Sequence, residues 1–283
     1  MLRPEDVWPV DDEYADIYSA RVAMGRQSAA NAGVNIVAIA RNAMPLLTNT
    51  LALVDDVRAG FGSCQMFVFE NDSTDDTALA LDSHAARNEW FHVRHDTWGG
   101  LDQRGFEPER TVRLAKARNI CLEWVLVNGS RNQYTIVVDL DPAYGFSVDG
   151  VFNSIGWLGD LAAGSPSNPA AMASYSLYRI THENGNSSVA QYDSWAARQN
   201  WWRDRRDEPG GMAWFSLLLP PVGSPPIPMN SAFGGLCVYR TDAYLSGGYS
   251  GEDCEHVPHH RRMAEAGWQL YLNPGCRYIA VWK

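Results

Sequence analysis

Residues 34 to 40, VNIVAIA, form an unbroken apolar run rich in β-branched side chains, the pattern of a strand covered on both faces. Pro45 then opens a helix whose apolar stripe is Leu47, Leu51 and Val54. The alternation repeats. CQMFVFE (64 to 70) predicts a second strand, and the helix after it has Ser73 or Thr74 as its cap with acids in its first turn. WFHVRHD (90 to 96) predicts a shorter third strand. A helix beginning near Pro108 buries Leu114, Ala117, Cys121, Trp124 and Val125, and leads into a fourth strand, TIVVDLD (135 to 141). Repeated β–α units imply an α/β fold with a mostly parallel sheet flanked by helices, and ligands at the carboxyl ends of its strands.

Beyond residue 143 the pattern is less regular. AAGSPSNPAA (162 to 171) and LLLPPVGSPPIPMN (217 to 230) are rich in Pro, Gly and Ser and predict loops. Trp195, Trp201, Trp202, Trp214 and Phe215 supply flat apolar surfaces suited either to the carbon faces of a sugar or to ordinary core. With 283 residues, 46% of them hydrophobic, the chain suffices for one large α/β domain or two small ones. No stretch has the length of a transmembrane segment, and the acidic start MLRPEDVWPVDDEYAD lacks the form of a signal peptide, so a cytoplasmic protein is expected. Five cysteines without a CxxC predict small core residues rather than a disulfide framework. A net charge of −10 argues against nucleic acid as a partner, and the mixed stretch RQNWWRDRRDE (198 to 208) is nearly balanced in sign.

The strand ends select the candidate chemistry: Arg41 and Asn42, then Glu70 and Asn71, then His95 and Asp96, then Asp139 and Asp141. Neither a GxGxxG nor a GxxxxGK accompanies them, which excludes a dinucleotide fingerprint and a P-loop. Asp139 and Asp141 share one face while Leu140 turns to the other. Two acids so placed are tolerated facing solvent, or favoured when a divalent cation sits between them and a polyanion. Cys254, His256, His259 and His260 offer zinc-type ligands. Pro258 marks a helix start that sends the adjacent His259 and His260 in different directions, and no second pair lies at finger spacing.

FENDSTDDT (69 to 77), LAKARN (114 to 119) and VVDLDP (137 to 142) resemble, in order and spacing, the nucleotide-sugar half of the GT-A glycosyltransferases. YDSWAAR (192 to 198), SAFGGLCVYR (231 to 240) and CEHVPHHRRMAEAGWQLYLNP (254 to 274) are similar to the capsule-associated α-1,3-mannosyltransferases and their microbial relatives. The resemblance implies an N-terminal extension over 1–32 and one GT-A domain over 33–283. Its nucleotide-sugar half is 33–142 and its acceptor half 143–283.

It also implies roles. Glu70 would contact the nucleobase, with Asn71 in place of a second acid leaving the base open. Arg41, Asn42, Asp72, Arg118, Asp139, Leu140, Gly234 and Gly235 would surround the donor, the two glycines serving either as a plain turn or as backbone close to the sugar. Asp139 and Asp141 would hold Mn2+ or Mg2+, with His256 or His259 approaching the metal and diphosphate from across the cleft. Tyr192, Asp193 and Trp195 would face the acceptor. Glu252 and Asp253 either cap the following helix or reach the transferred sugar and the attacking hydroxyl.

The implied activity is metal-dependent transfer of a hexose, with mannose from GDP-mannose the nearest match, from a GDP- or UDP-linked donor to a glycan or other hydroxyl. Two alternatives remain. A nucleotidyltransferase of similar fold needs a basic triphosphate loop where ARNAMPLL has only Arg41, and a non-catalytic carbohydrate-binding relative has no need of both Asp139 and Asp141.

Overall fold

The computed structural model describes residues 3–99, 107–164, 168–181, 185–193, 195–199 and 219–280. After a single turn, α1 (Pro4–Val7), comes α2 (Ala15–Ala29). The β–α units then follow as β1 (Gly33–Ala40), α3 (Leu47–Arg58), β2 (Ser63–Asn71), α4 (Thr77–Ala85), β3 (Phe91–Asp96), α5 (Pro108–Trp124) and β4 (Tyr134–Val138). The second half contains α6 (Val148–Gly164), β5 (Asn168–Thr181), β6 (Ser187–Gln191), β7 (Ile227–Met229), β8 (Leu236–Arg240), α7 (Thr241–Ser246), α8 (His256–Glu265) and β9 (Trp268–Ile279).

The strands form one nine-stranded sheet in the order β3-β2-β1-β4-β8-β5-β9-β7, with β6 paired to β5. From β3 to β4 every pairing is parallel. Beyond β4 the directions mix: β8 runs antiparallel to both β4 and β5, whereas β9 is parallel to β5. The chain is an α/β protein with one large central sheet flanked by helices, as the sequence implies.

The apolar run of β1 is buried on both faces, as expected. Ile36 and Ala38 join the core under α3 and α6, and Val37 joins the core under α5. Leu47, Leu51 and Val54 of α3 are buried against the first of these layers. Two local expectations shift. Helix α4 opens at Thr77, whose N–H is capped by Asp75 Oδ1 (3.0 Å), because Ser73 and Thr74 are drawn instead to Asn42. On α5, Ala117, Cys121 and the following Val125 are buried as expected, joined by Ala115 and Arg118, while Leu114 and Trp124 are only half-buried.

The segment before residue 33 is integral to this architecture. Gly25 of α2 and Gly156 of α6 bring the two backbones into contact, since a Cβ on either would strike a carbonyl of the other helix. Arg21–Asp160 (2.8 Å) and Arg26–Asp149 (2.6 Å) flank the seam. Arg277 of β9, wholly buried, donates to Trp8 O (2.7 Å), Tyr18 Oη (3.1 Å) and Ser147 Oγ (3.2 Å).

Candidate functional site

Chain order reverses at β1, which has β2 on one side and β4 on the other. Such a switch point opens a crevice at the carboxyl ends of the strands, where open α/β sheets bind ligands. The residues around that crevice are Arg41 and Asn42 after β1, Glu70 at the end of β2, and Asp139 to Asp141 just past β4.

Strand β4 stops at Val138, and the Asp139 N–H donates to Gly235 O (2.8 Å) across the sheet. Leu140 is buried while Asp139 and Asp141 are half-buried, so the two acids and the leucine part company as alternation requires. Burial pushes the Asp139 carboxyl up to about 6; the neighbouring Asp141 adds to this and Arg118 opposes it. Arg118, on the buried face of α5, donates from Nη2 to Asp139 Oδ1 (2.8 Å). Its Nε lies 3.6 Å from Glu255 Oε1. Burial alone would lower the Arg118 pKa, but Asp139 and Glu255 more than reverse that and raise it.

Glu255 is a buried acid that sequence reasoning passed over in favour of its neighbours. The structure places Glu252 on the exposed surface. Asp253 is buried, and both its oxygens accept from Arg198 Nη2 (3.1 and 3.0 Å), with Oδ1 also taking the Cys254 N–H (2.6 Å). Three acids within four positions gave the signal, but only packing separates the exposed one, the paired one and the one beside Arg118.

The His256 ring stacks on Phe233 (centroids 3.8 Å apart, 18° between planes), a residue whose ring also lies 5.0 Å from the Arg118 guanidinium carbon. Burial, with help from Arg118 and the neighbouring histidines, holds the His256 imidazole well below its usual pKa. His259 is equally buried and stacks on Tyr249 (4.2 Å), and His260 is bonded to Ser231 Oγ and Tyr239 Oη. Among the described residues, no group of three or more His, Cys, Asp or Glu side chains gathers where it could hold a metal ion.

The loops after β1 and β2 are laced together. The Asn42 N–H donates to Ser73 Oγ (3.1 Å), and Asn42 Oδ1 accepts from Thr74 N (2.7 Å). Glu70 is buried; Oε1 accepts from Ser73 N (2.9 Å) and Oε2 lies 2.7 Å from His95 Nδ1. His95 reaches Asp82 with its other nitrogen (2.9 Å), and although burial lowers its pKa, the two carboxylates prevail and raise it. Asp72, at φ 55°, accepts from the N–H groups of Trp98 and Gly99 and anchors the chain after β3.

In the second half of the chain, Asp193 is buried and takes the Phe233 N–H (2.6 Å) with Oδ2. Burial pushes its carboxyl up to about 7, against the pull of the Phe233 and Gly234 N–H groups. Gly234 and Gly235, at φ 66° and 85°, would thrust a Cβ into Ser174 and the Tyr278 ring respectively. The pair therefore answers to a turn packed against protein atoms. Tyr192 is half-buried and donates its N–H to Ser176 O (2.9 Å). The Trp195 ring lies 5.5 Å from the Arg110 guanidinium carbon. Trp201, Trp202, Trp214 and Phe215 lie outside the described residues.

A crystal structure of GalNAc-T7 with UDP, GalNAc and Mn2+ superposes on this architecture with a TM-score of 0.51 at 13% identity, over 89% of the present chain and 44% of that one. The fold is of the GT-A type. Mannosyltransferase PcManGT from Pyrobaculum calidifontis with GDP-Man and Mn2+ (TM-score 0.49, 13% identity, 94% and 66% of the two chains) and S. aureus TarS 1-349 (0.48, 12%, 88% and 60%) fall below 0.5 and add nothing to that conclusion. The chain thus spans from under a half to about two thirds of the chains it is similar to. No family model matches it, and no curated protein matches it significantly.

The chemistry around Asp139 fits a metal ion in part. Asp139 and Glu255 flank one guanidinium, Arg118, and Asp141 stands beside Asp139. Carboxylate oxygens such as those of Asp139 and Asp141 are the donors Mn2+ and Mg2+ take.

Proposed function

We propose that the chain is a glycosyltransferase that moves a hexose from a nucleoside diphosphate sugar to an acceptor hydroxyl in glycan or polysaccharide synthesis. The observation that carries this reading is the half-buried acid pair just past β4, at the switch point of a GT-A-type sheet. The similar fold of GalNAc-T7, crystallised with UDP, GalNAc and Mn2+, supports a nucleotide-sugar donor. The sequence resemblance to mannosyltransferases puts GDP-mannose and retention of configuration first among the donors and outcomes to be tried.

Asp141, with help from Asp139, would hold Mn2+ or Mg2+, which when bound neutralises charge growing on the departing diphosphate. Arg118 keeps a permanent positive charge behind the acid pair. Glu70, braced by Ser73 and His95, presents a fixed polar edge to the nucleoside, with Arg41 and Asn42 beside it. Asp193 holds the Phe233 to Gly235 backbone, and through Gly235 O that backbone positions Asp139. Tyr192 and Trp195 lie on the acceptor side. Asp253 serves Arg198, and Glu252 has no described bond to the acid group, so this reading gives transfer chemistry to neither.

The test is thermal melting and slow acceptor-free hydrolysis with UDP- and GDP-linked hexoses, with and without Mn2+. A true donor should raise the melting temperature by mass action in the presence of Mn2+ and release its sugar slowly. If none of these donors stabilises the protein or is hydrolysed, the reading fails.

A further inference from the structure

Both ring nitrogens of His95 face carboxylates. Nδ1 lies 2.7 Å from Glu70 Oε2, at the end of β2, and Nε2 lies 2.9 Å from Asp82 Oδ1, on α4. A neutral imidazole carries one N–H, so between two ionised acceptors it would serve one and turn a lone pair on the other. Both contacts are satisfied when the ring is an imidazolium. Burial works against that charge, but bonding and attraction from Glu70 and Asp82 prevail and raise the His95 pKa. These two acids are the charged groups that face the ring from β2 and α4. Arg94 and Asp96, its neighbours along β3, point to the opposite face and pair with each other (2.9 Å).

The two acids differ in what they can do without that ring. The Glu70 side chain is 5% exposed and cannot replace a lost N–H with water, whereas Asp82 is 63% exposed and can. A ring with one proton should therefore keep it on Nδ1, for Glu70, and let Asp82 go. The tie to α4 is the proton-dependent one. At its start α4 holds the turn after β1: Thr77 Oγ1 takes the Ala43 N–H (2.8 Å), and the capping Asp75 takes the Met44 N–H with Oδ2 (3.1 Å). One short helix thus joins His95 to the turn that carries Arg41 and Asn42.

We infer that His95 is a positioning residue: as an imidazolium it ties α4 to the buried acid of β2, and by that tie it fixes the two loops that would meet the nucleoside. The role rests on the reading of this rim as the nucleoside site. Loss of the proton leaves Glu70 held and frees Asp82, so the rim should loosen as pH rises through the His95 titration. Buried Leu81 and the contact of the His84 ring with Phe91 (centroids 4.6 Å apart) still hold α4, so the helix shifts without unfolding.

The experiment joins NMR of the His95 ring nitrogens across about pH 5 to 9 with calorimetric titration of UDP and of GDP, each on wild type and Asp82→Ala. His95→Gln identifies the ring signals. In wild type the ring should titrate above the ordinary value near 6.5, and its neutral form should carry the proton on Nδ1. Asp82→Ala, an exposed change to a good helix former that should leave the fold intact, should move the titration to lower pH and keep the neutral form on Nδ1. Below its own titration, wild type should bind UDP or GDP about threefold or more tighter than Asp82→Ala, the scale of a modest side-chain coupling. Above it the two should bind equally. A ring that is neutral below 6.5, a neutral form protonated on Nε2, or a titration unmoved by Asp82→Ala overturns the tie. Equal nucleotide affinity in the two proteins at every pH, with the ring spectra as expected, overturns the positioning role and leaves the nucleoside site standing. Wild type that binds neither UDP nor GDP overturns the nucleoside site and the role together.

Discussion

The two halves of the chain place their acids by different means. In the first half of the chain Glu70 and Asp139 follow directly from strands whose neighbours fix their direction, β2 and β4. In the second half Asp193, Asp253 and Glu255 sit in bends and at a helix start, where each is claimed by a backbone group or an arginine. Strand ends present side chains to a ligand by default, whereas loop acids reach one only if packing leaves them free. The difference predicts a graded response to removing charge around the rim.

The largest effect should come from the strand-end pair. Asp141→Asn is expected to abolish Mn2+-dependent donor binding while the fold survives, as read by calorimetry with a stabilising UDP- or GDP-sugar. Undiminished binding would erase the distinction between the two halves. The same pair should respond to acid: burial holds the Asp139 carboxyl near 6, so Mn2+ affinity should fall as pH drops through that value and recover above it.

Next in size is Asp253→Asn, which leaves a buried Arg198 without its anion. A loss of about 3 kcal/mol in stability is expected, seen in chemical denaturation. Melting that matches wild type, together with lost turnover, would move Asp253 from the scaffold to the chemistry.

Asp193→Asn should be milder and pH-dependent. The folded carboxyl, pushed up to about 7, lies above its ordinary value near 3.8, so the native state holds the proton more tightly than the unfolded chain. Its stabilising contribution is full below the ordinary value and is lost as pH rises through about 7. The amide that replaces the carboxyl keeps an oxygen for the Phe233 N–H but does not titrate, so the slope of stability between those values should flatten. The smallest effect belongs to Glu252→Gln, an exposed change expected within about 0.5 kcal/mol of wild type in stability and without loss of turnover.

The same contrast explains what could be read in advance. Periodicity located β1, β2, β3 and α3 nearly to the residue, because a strand buried on both faces and a one-sided helix leave patterns that survive any packing. The acid pair was legible for a related reason: Leu140 between two aspartates reports one buried and two open directions. Glu255 was not legible, since its burial depends on Arg118 arriving from α5, 137 positions earlier in the chain. Nor was the fixing of Glu70 by His95, which needs β3 paired to β2 in the observed register. The stacking of His256 on Phe233 was illegible for the same cause, as it joins the start of α8 to a loop with which it shares no local pattern.

Strand β9 is the last element of the chain described, yet it lies between β5 and β7 in the sheet, and its Arg277 closes onto Trp8 and Tyr18. During synthesis the parallel pairings among β1 to β4 can all form as soon as residue 138 has emerged, with only the β8 edge of β4 still open. The other half cannot close. Until residues 268 to 279 appear, β5 and β7 show open edges where β9 will sit, and the N-terminal helices lack their buried anchor. Pairings this distant in sequence are slow to form, and unfilled edges invite other chains. The nascent protein therefore spends the second half of its synthesis with its parallel strands paired and a slot unfilled, the stage at which a chaperone would have most to protect.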